Sequence, residues 1–321
     1  MSVGVGVIGA GMMGAAHVAT LTTAVEGAHV AAVSDADLDR AAAAAREAGA
    51  RAIADPHELI RDPQVDAVVV ASFDTTHEEF AVACIAAGKP VLCEKPLATT
   101  ADACLRVIDA ELAAGRRFVS LGFMRRYDPA YEAIKTSLDD GGVGPVLLAH
   151  CAHRNAVAPA IYTSEMLITS SAVHEIDVMR WLLGEEFVGA TVRAARSTSQ
   201  APEGLRDPQL VLLETASGVL VDVEVFVNAR YGYDIRCELV GENGTLRLGE
   251  QLAPDFRSRF ATAYRRELEA WVRAVGSGHA DGQPDAWDGY AANAVADACL
   301  ASLASGARAD VVLADRPSLY G

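Results

Sequence analysis

The sequence predicts an α/β protein with two domains: a doubly wound parallel sheet over residues 1–121, and an α/β domain with a large open, mainly antiparallel sheet over residues 122–321. Short apolar runs alternate with helical segments up to about residue 121, as in parallel sheets covered on both faces. Beyond that point the extended runs become longer and hairpin-type turns join them. With 321 residues, 51% of them hydrophobic, the chain is long enough for two buried cores.

The first half of the chain alternates strands and helices. Two helices are expected to end before Gly88 and Gly115, because glycine suits the left-handed position after a last helical turn. Strands are predicted at Val3–Ile8, Ala28–Ser34, Asp66–Ala71, Pro90–Cys93 and Arg117–Leu121. Helices are predicted from the glycine-rich segment after Ile8 to about Val25, and at Asp37–Ala48, Thr76–Ala87 and Thr100–Ala114.

The second half changes to long extended runs. Valine occupies every second position from 219 to 227, and Asp222 and Glu224 fall on the opposite face, as in a strand with one buried side. The extended runs are Pro145–Arg154, Val188–Ser197, Gln209–Thr215, Gly218–Asn228 and Tyr233–Val240. Helices are predicted at Pro129–Leu138, Ser171–Leu183, Arg257–Val275 and Asp285–Ser305.

The charge of the chain argues against several classes of partner. The formal net charge is −16 and the isoelectric point is near 4.9, so an acidic surface would repel nucleic acid and anionic membranes. The sequence has no run of about 18 apolar residues, and its start lacks the basic and apolar regions of a secretion signal. Its six cysteines are scattered, as expected for buried thiols rather than disulfides or a metal site. We therefore expect a cytoplasmic protein with no metal, membrane or nucleic-acid partner.

A glycine-rich segment, Gly9-Ala10-Gly11-Met12-Met13-Gly14, follows the first strand and opens the first helix. This context suits a dinucleotide, because main-chain amides and the helix dipole can hold a pyrophosphate. The three glycines permit, in order, a tight turn, close approach of the phosphates, and packing of the helix on the strand. Asp35 ends the second strand, where a carboxylate accepts hydrogen bonds from a ribose diol and repels a 2′-phosphate. The sequence therefore predicts NAD rather than NADP.

Lys95 is the candidate for a positively charged side chain that faces the substrate. The chain has only three lysines among its 27 basic residues, so a lysine that is retained has a raised chance of a role that arginine cannot fill. It lies in Glu94-Lys95-Pro96, just past the fourth strand, at the edge where open α/β sheets bind ligands. The alternative is a structural Glu–Lys pair in a turn. Glu94, Ser72 and His77 lie at the same edge and are further candidate cofactor contacts.

His174 is the candidate catalytic histidine. It lies near the start of a predicted helix whose first turn holds small or apolar residues, which suits the lining of a cleft. Asp177 follows three residues later on the same face and could orient the imidazole ring. The alternative is an incidental histidine in a capped helix. His150 and His153 fall on opposite faces of one strand, which is poor geometry for a metal.

Three motifs together resemble those of the glucose–fructose oxidoreductase/inositol dehydrogenase family. They are the glycine-rich opening, Gly88-Lys89-Pro90-Val91-x-x-Glu94-Lys95-Pro96, and His174-Glu175-Ile176-Asp177, in the family's order and over essentially the whole chain. Further strings are similar to bacterial inositol 2-dehydrogenases within that family: Gly122-Phe123-Met124-Arg125-Arg126-Tyr127-Asp128, His150-Cys151-Ala152-His153-Arg154-Asn155, Tyr231-Gly232-Tyr233-Asp234 and Ala286-Trp287-Asp288-Gly289-Tyr290.

The resemblance implies a Rossmann domain followed by a substrate domain whose open sheet forms a homo-oligomer, a tetramer being favoured over a dimer. It implies that Lys95 binds and polarises the reacting hydroxyl and that His174 is the general base. It also implies that Asn155 and Tyr233 contact the cyclitol hydroxyls. Arg125 and Ser171 are further candidates for substrate binding.

Two departures from this subgroup bear on the chemistry. Its members carry an aspartate four residues before the histidine, and here that position is Ser170, which cannot hold a negative charge against an imidazolium. The segment between Leu248 and Phe260 is also shorter than in the subgroup. Ser170 and Asp177 are therefore both candidate catalytic residues. Either Asp177 supplies the missing charge, or the natural substrate differs from myo-inositol, or Ser170 merely caps the helix.

Together these features predict an NAD-dependent dehydrogenase that oxidises a ring hydroxyl of a cyclitol, with inositol converted to an inosose. An alternative is a dehydrogenase or reductase of a pyranose sugar, an amino-cyclitol or a deoxy-cyclitol, with Ser170 marking the changed substrate. A remote alternative is a dinucleotide-binding regulator that has lost catalysis.

Overall fold

The computed structural model describes residues 2–249, 252–278 and 282–321. The chain divides into two compact units. The first consists of Met1–Phe123, Tyr264–Tyr290 and Asp315–Gly321, and the second of Met124–Ala263 and Ala291–Ala314. The assignment of cofactor binding to residues 1–121 and of substrate binding to residues 122–321 stays a prediction.

The first unit contains a six-stranded parallel sheet. Its strands are β1 (Val3–Ile8), β2 (Ala28–Ser34), β3 (Arg51–Ala52), β4 (Ala67–Val70), β5 (Val91–Glu94) and β6 (Val119–Gly122). Its helices are α1 (Met12–Thr23), α2 (Leu38–Ala48), α3 (Pro56–Arg61), α4 (His77–Ala86) and α5 (Ala101–Ala114). The strand order is β3-β2-β1-β4-β5-β6, and all the pairs are parallel. The order reverses between β1 and β4, which is where open sheets of this type bind their ligands.

The core of this sheet is apolar on both faces, as the sequence predicts. All four residues of β4 are fully buried, and five of the six residues of β1 are buried. Leu268 and Trp271, from the Tyr264–Tyr290 segment, belong to the same apolar cluster as Val5 and Val7 of β1. A segment late in the chain therefore completes the core of the first unit.

Two short elements between β2 and β4 were not predicted. Strand β3 has only two residues, too few for any periodic pattern to appear. Helix α3 has six residues and starts in the way that Asp-Pro favours, because the Asp55 carboxylate accepts a 2.8 Å hydrogen bond from the His57 amide and Pro56 occupies the first turn. The helix start could therefore have been recognised from the sequence.

The second unit contains a seven-stranded mixed sheet. The strands are β7 (Val146–Arg154), β8 (Phe187–Ala194), β9 (Gln209–Thr215), β10 (Leu220–Phe226), β11 (Asp234–Gly241), β12 (Gly244–Arg247) and β13 (Ala309–Asp310), in the order β12-β11-β7-β10-β9-β8-β13. Its pairs are antiparallel except for β7 with β10. A long crossover separates these two strands in the chain, which permits parallel pairing. The predicted fold class, with its mainly antiparallel second sheet, is confirmed.

The remaining helices are α6 (Pro129–Asp139), α7 (Val173–Leu183), α8 (Phe256–Ser277) and α9 (Ala286–Ser305). They lie close to the predicted ranges, except at the start of α7. Residues Leu167–Ala172 form a π-helical turn directly before α7, so the helical segment begins earlier than the predicted Ser171. The expectation that Ser170 caps the helix is wrong, because Ser170 lies inside this turn and Ala172 occupies the cap of α7.

The predicted alternation along β10 is confirmed. The valines at 219, 221, 223, 225 and 227 are all buried, while Asp222 and Glu224 are partly exposed on the other face. The same partly exposed face carries Leu148, Leu210 and Leu220, each more than one-third exposed.

Among the described residues, none of the helices combines the length and the hydrophobicity of a membrane-spanning segment.

Candidate active site

The glycine-rich turn of the first unit leaves room for a ligand at one glycine only. Gly9 has φ +94°, and a Cβ on Gly14 would lie 1.8 Å from the Gly9 carbonyl oxygen, so both positions require glycine. A Cβ on Gly11, by contrast, would meet nothing within 4 Å. Tight packing at Gly9 and Gly14 with open space at Gly11 matches the division of roles in a dinucleotide turn, in which the middle glycine faces the phosphates.

Helix α1 begins at Met12, directly after this turn. Its cap residue is Gly11, which offers no side chain to the first amides, and Met12 is 57% exposed while Met13 is half-buried. The positive end of the helix dipole and the free amides of the first turn suit a pyrophosphate. The residues present therefore fit the phosphates of NAD.

Asp35 is fixed against the glycine-rich turn. Its Oδ2 accepts a 2.6 Å hydrogen bond from the Ala10 amide, and its Oδ1 accepts a 2.8 Å hydrogen bond from the Asp37 amide. Each carboxylate oxygen has a second acceptor site. The carboxylate therefore lies beside the predicted phosphate site and can still accept hydrogen bonds from a ribose diol.

Lys95 follows the last residue of β5 and is half-buried. The preceding Glu94 is buried, and its Oε1 lies 2.7 Å from Nε2 of His17. Burial acts to raise the pKa of Glu94. The contact with His17 and the nearby charge of Lys95 outweigh burial and hold this pKa below its ordinary value. The lysine is therefore anchored beside an ionised carboxylate. No motif or spacing in the sequence pointed to this role of His17.

His77 joins the segments that follow β4 and β5. Its Nδ1 donates a 2.6 Å hydrogen bond to the Pro96 carbonyl, its Nε2 lies 3.2 Å from the Ser72 carbonyl, and the side chain is 1% exposed. The Ser72 hydroxyl lies 2.7 Å from that of Thr76. These contacts brace the segment that carries Lys95, whereas the role of His77 and Ser72 as cofactor contacts stays a prediction.

His174 is the second residue of α7, in the second unit, and is 8% exposed. Its ring stacks on that of His153 at a centroid distance of 6.2 Å and an interplanar angle of 24°. The carboxylate of Asp177, predicted to orient this ring, accepts two hydrogen bonds from Arg126, one of them 3.0 Å long from Nε to Oδ2. The charge of Asp177 is therefore largely balanced by a guanidinium.

A buried ionic cluster lies beside His174. Arg125, Glu175 and His153 are each at most 3% exposed. The Glu175 carboxylate bonds to Arg125, and its Oε2 lies 2.9 Å from Nδ1 of His153, which also lies 3.1 Å from Nη2 of Arg125. Burial acts to raise the pKa of Glu175. The positive charge of Arg125 and the contact with His153 outweigh burial and hold this pKa below its ordinary value. Glu175 is therefore an ionised carboxylate inside the second unit.

Tyr233 covers this cluster from the start of β11. Its ring meets the edge of His153 at a centroid distance of 5.8 Å, and burial raises the pKa of Tyr233 to about 12.

The other predicted substrate-binding residues lie near β7 and α7. Asn155 follows β7 and is half-buried. Ser170 is half-buried in the π-helical turn, and the Ser171 hydroxyl lies 2.8 Å from that of Tyr162. The second unit thus groups most of the predicted substrate-binding residues around α7 and β7.

Comparison with known proteins decides the family. A model described as "Oxidoreductase family, NAD-binding Rossmann fold" matches residues 3–123, and one described as "GFO/IDH/MocA C-terminal domain" matches residues 131–247. The chain belongs to the GFO/IDH/MocA family of oxidoreductases. The predictions of the family, of an NAD-dependent oxidoreductase and of NAD as its cofactor are therefore confirmed.

Inositol dehydrogenases of several bacteria match this chain from end to end. Inositol 2-dehydrogenase 1 of Saccharopolyspora erythraea is 57% identical, with 100% of both chains covered. Inositol 2-dehydrogenase of Klebsiella pneumoniae is 48% identical, with 100% of this chain and 99% of the relative covered. The crystal structure of myo-inositol dehydrogenase from Lactobacillus casei, in complex with NAD(H) and myo-inositol, matches with a TM-score of 0.95 and 37% identity, again with 100% of both chains covered. The predicted similarity to bacterial inositol 2-dehydrogenases is confirmed.

Sequence reasoning missed two members of the cluster beside His174. His153 was considered only as a metal ligand, although its predicted position on the face opposite His150 already implied a buried side chain. Glu175 falls within the family-like string around His174, and a carboxylate in so apolar a helix is a signal of a buried partner. The identity of that partner depends on the packing of α7 against β7, which no local pattern shows.

Proposed function

We propose that this protein is an NAD-dependent dehydrogenase that oxidises a ring hydroxyl of a cyclitol, with inositol as the substrate and an inosose as the product. The observation that carries the proposal is the end-to-end match to the Lactobacillus casei structure, which holds NAD(H) and myo-inositol. The glycine-rich turn with its open side at Gly11, and Asp35 beside it, support the cofactor half of the reaction.

In the mechanism that we propose, Lys95 and His174 act on the reacting hydroxyl. Bound NAD would supply the hydride acceptor for the carbon that bears this hydroxyl. His174 takes the hydroxyl proton as general base. The Lys95 ammonium stabilises the negative charge that develops on the oxygen, an electrostatic effect often worth several kcal/mol. Glu94 and His17 hold the start of the lysine segment in place.

For the substrate half, we infer that Asn155, Tyr233, Ser171 and Arg125 serve binding. Tyr233 and Asn155 flank the strand that carries His153, and their side chains offer donors and acceptors for hydroxyl groups. Arg125 is bonded to Glu175 in the buried cluster, so its contribution to binding is to hold that cluster together.

A second candidate substrate is favoured by Ser170. The resemblance leads us to expect an aspartate at this position, and a serine cannot hold a negative charge that would stabilise the protonated form of His174. A pyranose, amino-cyclitol or deoxy-cyclitol is therefore the alternative substrate class. In this alternative the protein is an NAD(P)-dependent dehydrogenase or reductase of that substrate.

The test is a steady-state survey of the purified protein with NAD and with NADP. The substrates are myo-inositol, scyllo-inositol, deoxy-inositols, amino-cyclitols and free pyranoses. The proposal expects the highest kcat/KM for an inositol with NAD. A pyranose, an amino-cyclitol or a deoxy-cyclitol as the best substrate would select the alternative, and no turnover of any polyol would contradict both.

We also infer a cytoplasmic homo-oligomer, with a tetramer favoured over a dimer. All six cysteines are free thiols, the state that a reducing compartment maintains. The partly exposed face of the second sheet pairs Leu148 with Leu220 across β7 and β10, with Leu210 on the next strand, and these apolar side chains suit burial against a second copy. Light scattering of the wild type and of Leu220→Glu tests the assembly, since the substitution is expected to reduce the mass of the particle.

A further inference from the structure

Two cysteines face each other across neighbouring strands of the second sheet. Cys151 of β7 and Cys237 of β11 are register partners in an antiparallel pair. Both are free thiols, and the two residues are 5% and 2% exposed. Among the described strands no other two cysteines are register partners, since Cys93 of β5 lies opposite Val70 and Leu121. The sheet itself therefore brings these two thiols together.

The hydrogen bonds around this pair determine how close the two side chains lie. The Leu248 amide, which follows β12, donates a 2.8 Å hydrogen bond to the Cys237 carbonyl, so Cys237 directs its main-chain groups away from β7. The Asn155 amide donates a 2.9 Å hydrogen bond to the Phe226 carbonyl of β10, and Cys151, at an even spacing from Asn155, has its main-chain groups directed the same way. The two cysteines are therefore a non-hydrogen-bonded pair.

A non-hydrogen-bonded pair is the position of an antiparallel ladder that suits a disulfide. Its Cα atoms are about 4.5 Å apart, within the range of about 4.4–6.8 Å found across disulfides. The interaction with Cys237, and after it burial, raises the pKa of Cys151 well above its ordinary value. The two side chains therefore interact directly, and Cys151 is held in its thiol form.

The pair belongs to the same two strands as an aromatic contact beside His174. His153 lies two residues after Cys151 and Tyr233 four residues before Cys237, and their rings meet at a centroid distance of 5.8 Å. These even spacings place each ring on the same face of its strand as the cysteine. The charges of the buried ionic cluster also act on Cys151. A change in the spacing of β7 and β11 at the cysteines therefore acts on the surroundings of His174.

We propose that Cys151 and Cys237 are a modification site at which hydrogen peroxide forms a reversible cross-strand disulfide. Hydrogen peroxide is close to water in size, which suits the oxidation of thiols that are nearly buried. In reducing surroundings the pair stays as two thiols, and a thiol reductant regenerates them after oxidation.

The oxidation proceeds in two steps. Because Cys151 is held as a thiol, the first attack is assigned to Cys237, whose thiolate attacks one oxygen of the peroxide. The O–O bond breaks, and a sulfenic acid and one water are formed. Cys151 then loses its proton and attacks the Cys237 sulfur, and the sulfenic oxygen leaves as a second water. Overall the two thiols lose two electrons and two protons, and one peroxide is reduced to two waters.

The disulfide is expected to lower activity, a consequence that rests on the proposed function. Directly opposite Cβ atoms lie about 4.5–5.5 Å apart in an antiparallel pair, whereas a disulfide holds them about 3.8 Å apart. Oxidation therefore draws β7 and β11 together by roughly 1 Å beside the buried ionic cluster. A misplacement of about 1 Å can cost about a hundredfold in rate. We expect kcat/KM for inositol to fall at least tenfold and to recover on reduction.

The first test detects the disulfide itself and needs no substrate. The purified full-length protein is treated with hydrogen peroxide, its remaining thiols are alkylated under denaturing conditions, and the unreduced digest is analysed by mass spectrometry. The expected product is the Cys151 peptide linked to the Cys237 peptide, which separates on treatment with dithiothreitol. Thiols that stay unlinked at both positions, or a disulfide confined to Cys84, Cys93 and Cys104 of the first unit, would overturn the proposal.

The second test connects the disulfide to activity. Cys151→Ala and Cys237→Ala are each expected to abolish the linked peptide and to retain most of their own kcat/KM after peroxide treatment. Cys299→Ala, which removes a buried thiol of α9, is the matched control and should lose activity reversibly, as the wild type does. An equal loss in Cys151→Ala and wild type would overturn the effect on catalysis. A wild type that forms the linked peptide but turns over no cyclitol would contradict the proposed function while supporting the modification site.

Discussion

Arg126 donates two hydrogen bonds to Asp177, the carboxylate three residues after His174. The aspartate is 1% exposed and the arginine side chain is 10% exposed, so this is a buried ion pair. An anion balanced in this way has little charge left to stabilise an imidazolium. Of the three explanations for Ser170, the cap is excluded because Ala172 caps α7, and the pairing with Arg126 argues against Asp177 as the replacement for the expected aspartate.

Asp177→Asn is expected to lower stability more than it lowers catalysis. Breaking a buried pair leaves the guanidinium without its partner, at a cost of about 3–5 kcal/mol. Thermal unfolding and kcat/KM of the variant provide the measurement. A loss of activity of a hundredfold or more with an unchanged Tm would instead show that Asp177 serves His174 directly.

Ser170→Asp is expected to raise kcat/KM for myo-inositol. A carboxylate at this position would stabilise the protonated form of His174 and so assist proton removal. Ser170→Asn, similar in size but uncharged, is the matched control and should bring no gain. If both substitutions leave the rate unchanged, the serine is not what limits activity on myo-inositol.

Asp35→Ser is expected to weaken NAD and to admit NADP. The carboxylate is held beside the glycine-rich turn by Ala10 and repels a 2′-phosphate, whereas serine does not. The ratio of kcat/KM for the two cofactors is the readout. A wild type that prefers NADP by tenfold, about 1.4 kcal/mol, would contradict the role given to Asp35.

Lys95→Ala is expected to reduce kcat/KM by about a hundredfold or more, because its charge acts mainly on the transition state. The affinity for NAD should change little. Lys135→Ala is the matched control, since that lysine pairs with Asp139 on the exposed side of α6. A Lys95 variant that keeps more than half of the wild-type turnover would remove this residue from the mechanism.

Glu267→Gln is expected to stabilise the protein increasingly as the pH rises. Burial, and after it the charge of Glu94, raises the pKa of Glu267 well above its ordinary value, and neither of its oxygens has a hydrogen-bond partner among the described residues. The folded state therefore prefers the neutral acid form of Glu267. The contribution of this carboxyl group to stability is complete below its pKa in the unfolded chain, about 4.3, and is lost as the pH rises towards its pKa in the folded protein.

The difference in Tm between Glu267→Gln and wild type should therefore grow from pH 5 to pH 8. Glu269→Gln, in the same helix and paired with Arg265, is the control and should show no such trend. A difference that stays constant with pH would mean that Glu267 is not held neutral.

Local features of the sequence predicted five of the six strands of the first sheet, all except β3, and the glycine-rich turn. A strand as apolar as β4 fits few positions other than the centre of a parallel sheet, and the close packing at Gly9 and Gly14 fits few turns other than a dinucleotide-binding one. The substrate half depends on contacts far apart in the chain. His153 and Glu175 meet because β7 packs near α7, and β7 pairs in parallel with β10 across a long crossover. Such pairings are set by tertiary packing and leave no periodic signal.

The most direct test of the central claim is the formation of NADH when the purified protein is given NAD and a cyclitol. The account predicts saturable NADH formation with an inositol, an equal amount of a ring ketone, and a near-complete loss of the reaction in Lys95→Ala and His174→Ala. If NAD is not reduced by any inositol, while the protein is folded and binds NAD, the assignment of a cyclitol dehydrogenase is contradicted.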